Sequence, residues 1–191
     1  MQRMSDTRWK PSVTVAAIVE RDGRYLLVEE MTPEGLKLNN PAGHLDPGES
    51  PEQGAARECL EETACTFTPQ ALLGVYLARF ERPARAAAPD DGDGEGDGDG
   101  DGDDHEATPA EDITYLRLAY CGTVGEPEPG RALDTPIVRT LWLTPDELCT
   151  QAHRLRSPLV QRCIADHQAG VRHPLGAVWA DASLQQPLKL G

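Results

Sequence analysis

The feature that most constrains this chain is a group of three glutamates, Glu58, Glu61 and Glu62, inside one predicted helix. Ser50 followed by Pro51 is typical of a helix start, and few helix breakers follow. At about 100° per residue, Glu61 lies about 60° to one side of Glu58 and Glu62 about 40° to the other. The three carboxylates therefore share one narrow face of the predicted helix.

Like charges at this spacing repel each other, so we expect a positive charge near the cluster. A divalent cation among the carboxylates would supply it, and an all-oxygen ligand set selects hard ions. We therefore expect magnesium, with manganese as a substitute, rather than zinc. On the opposite face of the same helix, Ala56 and Leu60 are expected to pack on a sheet.

The loop before this helix delivers further candidate residues. Gly43 permits a close backbone approach, and the loop that follows it ends at Glu49, where a helix N-terminus can meet phosphate. Arg57 precedes the first clustered glutamate and can hold a carboxylate in a bidentate pair. A metal ion that bridges phosphate oxygens beside a glutamate base is what hydrolysis of a diphosphate requires.

The spacing of these residues resembles the Nudix box, the signature of the Nudix hydrolase superfamily. Its fixed positions are matched by glycine at 43, glutamate at 49, 58, 61 and 62, and arginine at 57. At average residue usage, such a match arises by chance about once in ten million starting points. The one departure is Ala64, where the box ends in glycine. Alanine in a left-handed helix end costs about 1 to 2 kcal/mol.

The resemblance extends beyond the box and covers most of the chain outside residues 83 to 110. The segments WKPSVTVAAIVE, LNNPAGHLDPGES and LRSPLVQRCIADHQAGVRHPL are similar to the bacterial NudJ-type branch of the superfamily. This resemblance implies an α/β fold, the Nudix α/β/α sandwich around a mixed β-sheet. It also implies hydrolysis of phosphoanhydride bonds in nucleoside tri- and diphosphates and in metabolites such as thiamine pyrophosphate.

The resemblance assigns roles to individual residues. Metal ligands would be Glu58, Glu61 and Glu62, with the Gly43 carbonyl as a further ligand, and the catalytic residues would be Glu58, Arg57 and Glu49. We expect Glu58 to be the general base, with Glu81, Glu111 and Asp112 as alternatives beside the insertion. The residues expected to contact substrate are His44, Asn40 and Arg156, with Asn39 and Arg154 as neighbouring candidates.

Two other functions fit the same motif. A Nudix pyrophosphatase that cleaves ADP-ribose or dinucleoside polyphosphates would carry the same box and differ in substrate alone. A catalytically silent Nudix domain could serve as a ligand sensor, because a fold does not determine a function. Such a silent domain is free to lose Glu58 or Glu61, and this chain keeps both. The LRSPLV segment is the one cue that favours the nucleotide phosphatase.

The remaining strands and helices follow from local patterns. SVTVAAIVE (12 to 20), nearly all apolar, and RYLLVEEM (24 to 31) predict a hairpin whose first strand is buried on both faces. Further strands are predicted at 72 to 80, 113 to 124 and 138 to 143. Two later helices are expected to begin at Thr144 with Pro145 and at Ser157 with Pro158.

The net charge of -14 is concentrated in one segment. Residues 90 to 106 carry ten acids and no Lys or Arg, which leaves about -4 for the rest of the chain. We expect one domain over 8 to 180, a disordered acidic insertion at 83 to 110 and a C-terminal tail at 181 to 191. An alternative for residues 95 to 106 is a calcium loop, although no helices flank it.

The composition also limits partners and compartment. The folded body is only mildly acidic, which argues against a nucleic-acid polymer and leaves small phosphorylated substrates open. No apolar run suggests a signal peptide or a membrane span. Five cysteines without a paired motif fit a reducing cytoplasm rather than a disulfide framework or a zinc site. A monomer or a homodimer is expected.

Overall fold

The structure, a computed structural model, describes residues 9 to 82 and 111 to 185. Strands β1 (Ser12–Arg21) and β2 (Arg24–Thr32) form the predicted hairpin. Asp22 and Gly23 have positive φ angles of 52° and 77°, which suits a two-residue hairpin turn. Residues 15 to 19 of β1 are no more than 1% exposed, so the prediction of a strand buried on both faces is confirmed.

The strands assemble into a mixed sheet around β1. This strand pairs antiparallel with β4 (Ala42–His44) and parallel with β6 (Glu111–Val124). β6 in turn pairs antiparallel with β5 (Phe67–Arg82), while β2 pairs with β3 (Gly35–Asn39) and β7 (Ile137–Leu143). The predicted strands at 72 to 80, 113 to 124 and 138 to 143 are confirmed as parts of β5, β6 and β7, whereas β3 and β4 were not predicted.

The described residues include three α-helices, α1 (Pro51–Thr63), α2 (Pro145–Thr150) and α3 (Pro158–Gln168), and each begins at its predicted cap residue. Helix α1 packs on one side of the sheet, where Ala55 and Cys59 join a cluster with β1 and β6. Helix α3 packs on the other side, where its buried residues join a second cluster. The expected α/β/α sandwich around a mixed sheet is therefore confirmed.

The buried face of α1 agrees only in part with the one we predicted, because Ala56 packs against the buried cluster and Leu60 is not part of it. Ala55 and Cys59 are fully buried, whereas Ala56 and Leu60 are only partly buried. Ala55 lies about 60° and Cys59 about 100° around the helix from Glu58. The sheet therefore contacts α1 right beside the carboxylate face rather than opposite it, which brings the glutamates to the edge of the core.

The acidic insertion at 83 to 110 and its alternative as a calcium loop lie outside the described residues. The chain positions on either side of the insertion are paired across β5 and β6, with Arg82 opposite Glu111. The insertion therefore joins two neighbouring strand ends. Of the C-terminal tail, residues 181 to 185 are described and include a short 3-10 turn, Ala182–Gln185.

Two further observations concern the environment of the protein. All five cysteines are free thiols, and four of them are buried. Within residues 9 to 82 and 111 to 185, none of the helices has both the length and the apolar character needed to cross a bilayer.

Candidate active site

Helix α1 is anchored at both ends, which determines where its carboxylates point. The Ser50 side chain accepts a hydrogen bond from the Gln53 amide at 3.3 Å, and the Gln53 side chain accepts one from the Ser50 amide at 2.8 Å. At the other end Ala64 adopts the left-handed conformation, with φ 58°, and its amide donates to the Leu60 carbonyl. The helix thus ends as the box requires, although alanine replaces the usual glycine.

Arg57 is the centre of the site. Its Nε and Nη2 donate to the two carboxylate oxygens of Glu49 at 3.0 and 2.8 Å, which is a bidentate pair. Its Nη1 donates to Glu58 Oε1 at 2.8 Å and to Glu61 Oε2 at 2.9 Å. Nη2 also donates to the His44 carbonyl at 2.9 Å. One guanidinium therefore joins the loop to two of the clustered glutamates.

These contacts and burial act in opposite directions on the acids. Hydrogen bonds from Arg57 hold the pKa of Glu49 below its ordinary value, and Glu49 is the main reason that the pKa of Arg57 is raised. For Glu58, burial outweighs Arg57, so its pKa is raised. Burial raises the pKa of Glu62 to about 8, although the Ala42 amide donates to its Oε2 at 2.8 Å. Ionising the buried members of the cluster is therefore costly without a cation.

Two glycines create room for the carboxylates. Gly43 on β4 lies opposite Val15 of β1, and a Cβ at Gly43 would overlap the carboxylate of Glu58. A Cβ at Gly54 would lie 2.7 Å from Oε1 of Glu49. The absence of a side chain at 43 thus lets the β4 backbone lie directly against Glu58, as the sequence predicted.

A cavity of about 720 Å³ opens beside the cluster. Gly43, Glu58 and Glu62 line one part of it. Aromatic side chains line another part, and the Tyr115 ring lies 5.5 Å from Phe80 and 6.3 Å from His44 between ring centroids. The cavity therefore combines an acidic region with an aromatic wall, which suits a substrate with a phosphate part and an organic part.

The residues expected to contact substrate are only partly brought together. His44, Asn39 and Arg156 line the cavity, and Arg156 lies 3.5 Å from Glu30 and 3.7 Å from Glu34. Asn40 is 1% exposed and is not among the lining residues, so the structure does not bring it to the cavity and its contact with substrate stays a prediction. Consecutive residues of an extended chain point to opposite sides, and here Asn39 faces the cavity instead.

Arg154 also lies away from the cavity. Its guanidinium donates to the buried carboxylate of Glu29 and to the side chain of Gln151 at 2.7 Å. Since Arg139 donates to the same carboxylate at 2.7 Å, Arg154 completes an ion pair network on β2. The described contacts of Arg154 are therefore within the protein, and its contact with substrate stays a prediction.

Of the candidate general bases, some line the cavity and others lie outside it. Glu58 and Glu81 both line the cavity. Asp112 is exposed and accepts a hydrogen bond of 2.6 Å from Nε of Arg79, outside the cavity lining. Only the backbone of Glu111 is described, as the strand partner of Arg82.

The sequence analysis missed several polar residues that line the cavity, among them Thr14, Glu30 and Arg117. Thr14 of β1 lies opposite Arg117 of β6 in the parallel pair, and Arg117 is 7% exposed. The available signal was an arginine inside the apolar strand segment YLRLAYC, because such a residue is rarely buried without a reason.

The donor set suits a hard divalent ion. Among residues 9 to 82 and 111 to 185, no three His, Cys, Asp or Glu side chains are arranged so that they could hold a metal ion as they stand. Nevertheless, Glu58, Glu61 and Glu62 each use one oxygen for the bonds above, and the second oxygen of each accepts no hydrogen bond from a described group. Carboxylate oxygens are the ligand type that hard divalent ions prefer, so the chemistry of these side chains is compatible with such an ion.

Comparisons with known proteins agree with this geometry. A family model described as the NUDIX domain matches residues 8 to 163. The phosphatase NudJ of Escherichia coli (strain K12) is 34% identical over 167 residues, which cover 87% of this chain and 90% of NudJ. The NudJ protein of Shigella flexneri matches to the same extent.

Solved structures give the same result. A NUDIX hydrolase from Nitrosomonas europaea has 40% sequence identity and a TM-score of 0.71, covering 90% of this chain and 98% of that protein. A second NUDIX hydrolase from this organism, at 17% identity and a TM-score of 0.57, covers 87% of this chain and 76% of its own and shares the fold. The chain belongs to the Nudix family and is a Nudix hydrolase of the phosphatase or pyrophosphatase type.

Proposed function

We propose that the protein is a magnesium-dependent hydrolase of phosphoanhydride bonds in nucleoside tri- and diphosphates and in pyrophosphorylated metabolites such as thiamine pyrophosphate. The observation that carries the proposal is the arrangement around Arg57, which holds Glu49, Glu58 and Glu61 beside Gly43 and the cavity. With Glu62 beside them, these carboxylates outnumber the one arginine, so their mutual repulsion is unfavourable without a cation and would be relieved by a divalent ion.

Magnesium would be held by Glu58, Glu61, Glu62 and the Gly43 carbonyl, and manganese could replace it. Nudix hydrolases generally use divalent metal ions. When bound, the ion would neutralise charge on the phosphate oxygens of the substrate. Binding would also offset the burial that raises the pKa of Glu62.

The protein groups themselves have separate tasks. Arg57 and Glu49 are positioning residues, because their bidentate pair fixes the guanidinium that orients Glu58. Glu58 is our candidate general base, since it lines the cavity and burial raises its pKa. It would take the proton of the attacking water.

The substrate class rests on the cavity and on the relatives. Arg156 and the His44 ring line the cavity and can contact the phosphates or the organic part. The curated relatives at 34% identity are named phosphatases, which favours release of orthophosphate over cleavage of ADP-ribose or dinucleoside polyphosphates. We further propose that the protein acts in the cytoplasm as a monomer or homodimer.

The test is phosphate release from nucleoside tri- and diphosphates, ADP-ribose and thiamine pyrophosphate, with and without magnesium. Glu61→Gln should lower turnover by at least about 100-fold, since it removes a charged ligand, whereas the exposed control Glu126→Gln should retain full activity. Preferential cleavage of ADP-ribose would overturn the phosphatase assignment. A folded wild type without metal-dependent turnover on any compound would instead indicate a silent ligand sensor.

A further inference from the structure

Strand β5 ends one side of the sheet and leaves a long part of its outer edge unpaired. The strands run in the order β3-β2-β1-β6-β5, so β5 has β6 on one side. On the other side, Leu72 exchanges two backbone hydrogen bonds with His173, at 3.0 and 2.8 Å. Among the described residues, no other strand pairs with this side of β5. We call residues 74 to 82 on this side the open edge.

The open edge lacks most of the features that keep edge strands from pairing with other chains. Pro69 and both register shifts of β5 lie at or before Gly74, and the pairing with β6 is regular from there to the end of the strand. Arg79 donates to both carboxylate oxygens of Asp112, so its charge is neutralised within the same sheet. A regular and largely apolar edge of this kind is a template for a further strand.

Val75 and Leu77 offer both apolar surface and backbone groups at this edge. They are 54% and 63% exposed. They lie opposite Leu118 and Leu116 of β6, and therefore on the same face of the sheet as Leu72. The side-chain face and the direction of the N–H and C=O groups alternate together along a strand. The N–H and C=O groups of Val75 and Leu77 therefore point outward, as those of Leu72 do.

The open edge is complementary to a second copy of itself. When two copies lie antiparallel about a two-fold axis, the register that uses the whole open edge places the axis at Ala78. Leu77 then lies opposite Arg79 of the second copy and can pack on the aliphatic part of that side chain. Val75 lies opposite Glu81 of the second copy. No like charges therefore face each other directly across the new strand pair.

The number of backbone bonds in this register is close to that of a normal interface. Four residue pairs have their N–H and C=O groups directed at each other, and each such pair exchanges two bonds, which gives about eight. A typical protein interface has about ten direct hydrogen bonds. On the other face of the sheet, Tyr76 lies opposite Phe80 of the second copy, which adds an aromatic cross-strand pair.

We infer that two copies of this chain form a two-fold dimer by pairing their open edges, which joins the two sheets into one continuous sheet. The area that one strand edge buries is small, so the dimer belongs to the weak class of interfaces, with a Kd on the order of 10 μM. The glutamates of α1 take no part in the pairing. The dimer is therefore independent of the hydrolysis proposed above.

The first test is sedimentation equilibrium of the full chain over a range of concentrations around the expected Kd. Salt at about 0.15 M screens the repulsion between two chains that each carry a net charge of -14. Leu77→Lys should weaken the dimer at least about tenfold, because it places a cation opposite Arg79 of the second copy. The matched control is Met31→Lys. Met31 is 52% exposed, but its strand β2 is paired on both sides, so the Kd should not change.

The second test is a cross-link at the two-fold axis. Ala78 meets its own copy there as a pair without mutual backbone bonds, which brings the two Cα atoms to about 4.5 Å. This distance is within the range of a disulfide. With the exposed thiol removed by Cys149→Ser, Ala78→Cys should form a covalent dimer on mild oxidation, whereas Met31→Cys should not.

The possible outcomes separate clearly. A wild type that remains monomeric up to about 300 μM, well above the expected Kd, would overturn the inference. So would a dimer that Leu77→Lys does not weaken and that Ala78→Cys does not cross-link, since it would use a different surface. If Leu77→Lys fails to fold by circular dichroism, the cross-link decides alone.

Failure of the inference and failure of the proposed function give different results. A cross-linked dimer without metal-dependent turnover on any compound contradicts the proposed hydrolysis and retains the strand pairing. A monomer that hydrolyses nucleoside diphosphates retains the hydrolysis and contradicts the pairing.

Discussion

Replacing Glu62 with glutamine is expected to stabilise the metal-free protein at pH 8 while impairing its activity. Oε2 of Glu62 accepts a hydrogen bond of 2.8 Å from the Ala42 amide, and a glutamine oxygen can accept the same bond. What the substitution removes is the cost of ionising a buried carboxyl group. The natural glutamate is therefore unfavourable for stability unless a cation is present.

The pKa of Glu62 determines the size and the pH range of the effect. Burial raises this pKa from the ordinary 4.5 to about 8, so the unfolded chain loses the proton first as the pH rises. Stability from the protonated group is fully present below about pH 4.5 and is lost progressively up to about pH 8. Each pKa unit corresponds to about 1.4 kcal/mol, so the upper limit for the stability that Glu62→Gln adds is about 5 kcal/mol.

We expect Glu62→Gln to raise the free energy of unfolding by about 2 kcal/mol in practice, because Glu62 also faces the open cavity, where solvent screens its charge. For a chain of this length, that corresponds to a Tm increase of about 4 to 8 °C. The assay is thermal unfolding by circular dichroism with EDTA at pH 5 and pH 8, for wild type, Glu62→Gln and the exposed control Glu126→Gln. Equal pH dependence of Tm in wild type and Glu62→Gln would refute the reasoning.

Four other changes test separate parts of the structure. Gly43→Ala should reduce activity at least about 100-fold, since its Cβ overlaps the Glu58 carboxylate; wild-type kcat/KM would contradict this. Arg57→Lys should lower kcat about 100-fold with little change in KM, because it breaks the bidentate pair with Glu49. Ser50→Ala should cost about 1 kcal/mol in urea unfolding and spare kcat. Deleting residues 86 to 108 should leave Tm nearly unchanged, because neighbouring strand ends flank them; a large drop would count against disorder there.

Local sequence patterns were sufficient to predict the helix that carries the glutamates, its cap and its carboxylate face. The capping residue Ser50, the helix that follows it and the shared face of the glutamates depend on spacing within about four residues. The hairpin of β1 and β2 was predictable for the same reason, since a turn and two apolar runs lie next to each other in the chain. The family, and through it the sandwich fold, followed from the spacing of the box.

The prediction of the helix face that packs on the sheet was only partly correct, for a tertiary reason: Ala56 packs against the buried cluster, but the most buried residues are others. Periodicity indicates which residues share a face but not which side of a charged face the sheet contacts. We assumed that the core lies opposite the carboxylates and therefore chose Ala56 and Leu60. In the structure Ala55 and Cys59 are buried, because the glutamates lie at the rim of the cavity rather than in open solvent.

The sequence by itself determined that this chain carries a helix with a narrow carboxylate face, an arginine able to orient it and a glycine before it. Only the tertiary structure decided that Asn39 and not Asn40 reaches the cavity, and that Thr14 and Arg117, about a hundred positions apart, become neighbours. The physical reason is that helix faces and caps arise from contacts within a few residues, whereas a cavity depends on how distant strands pair.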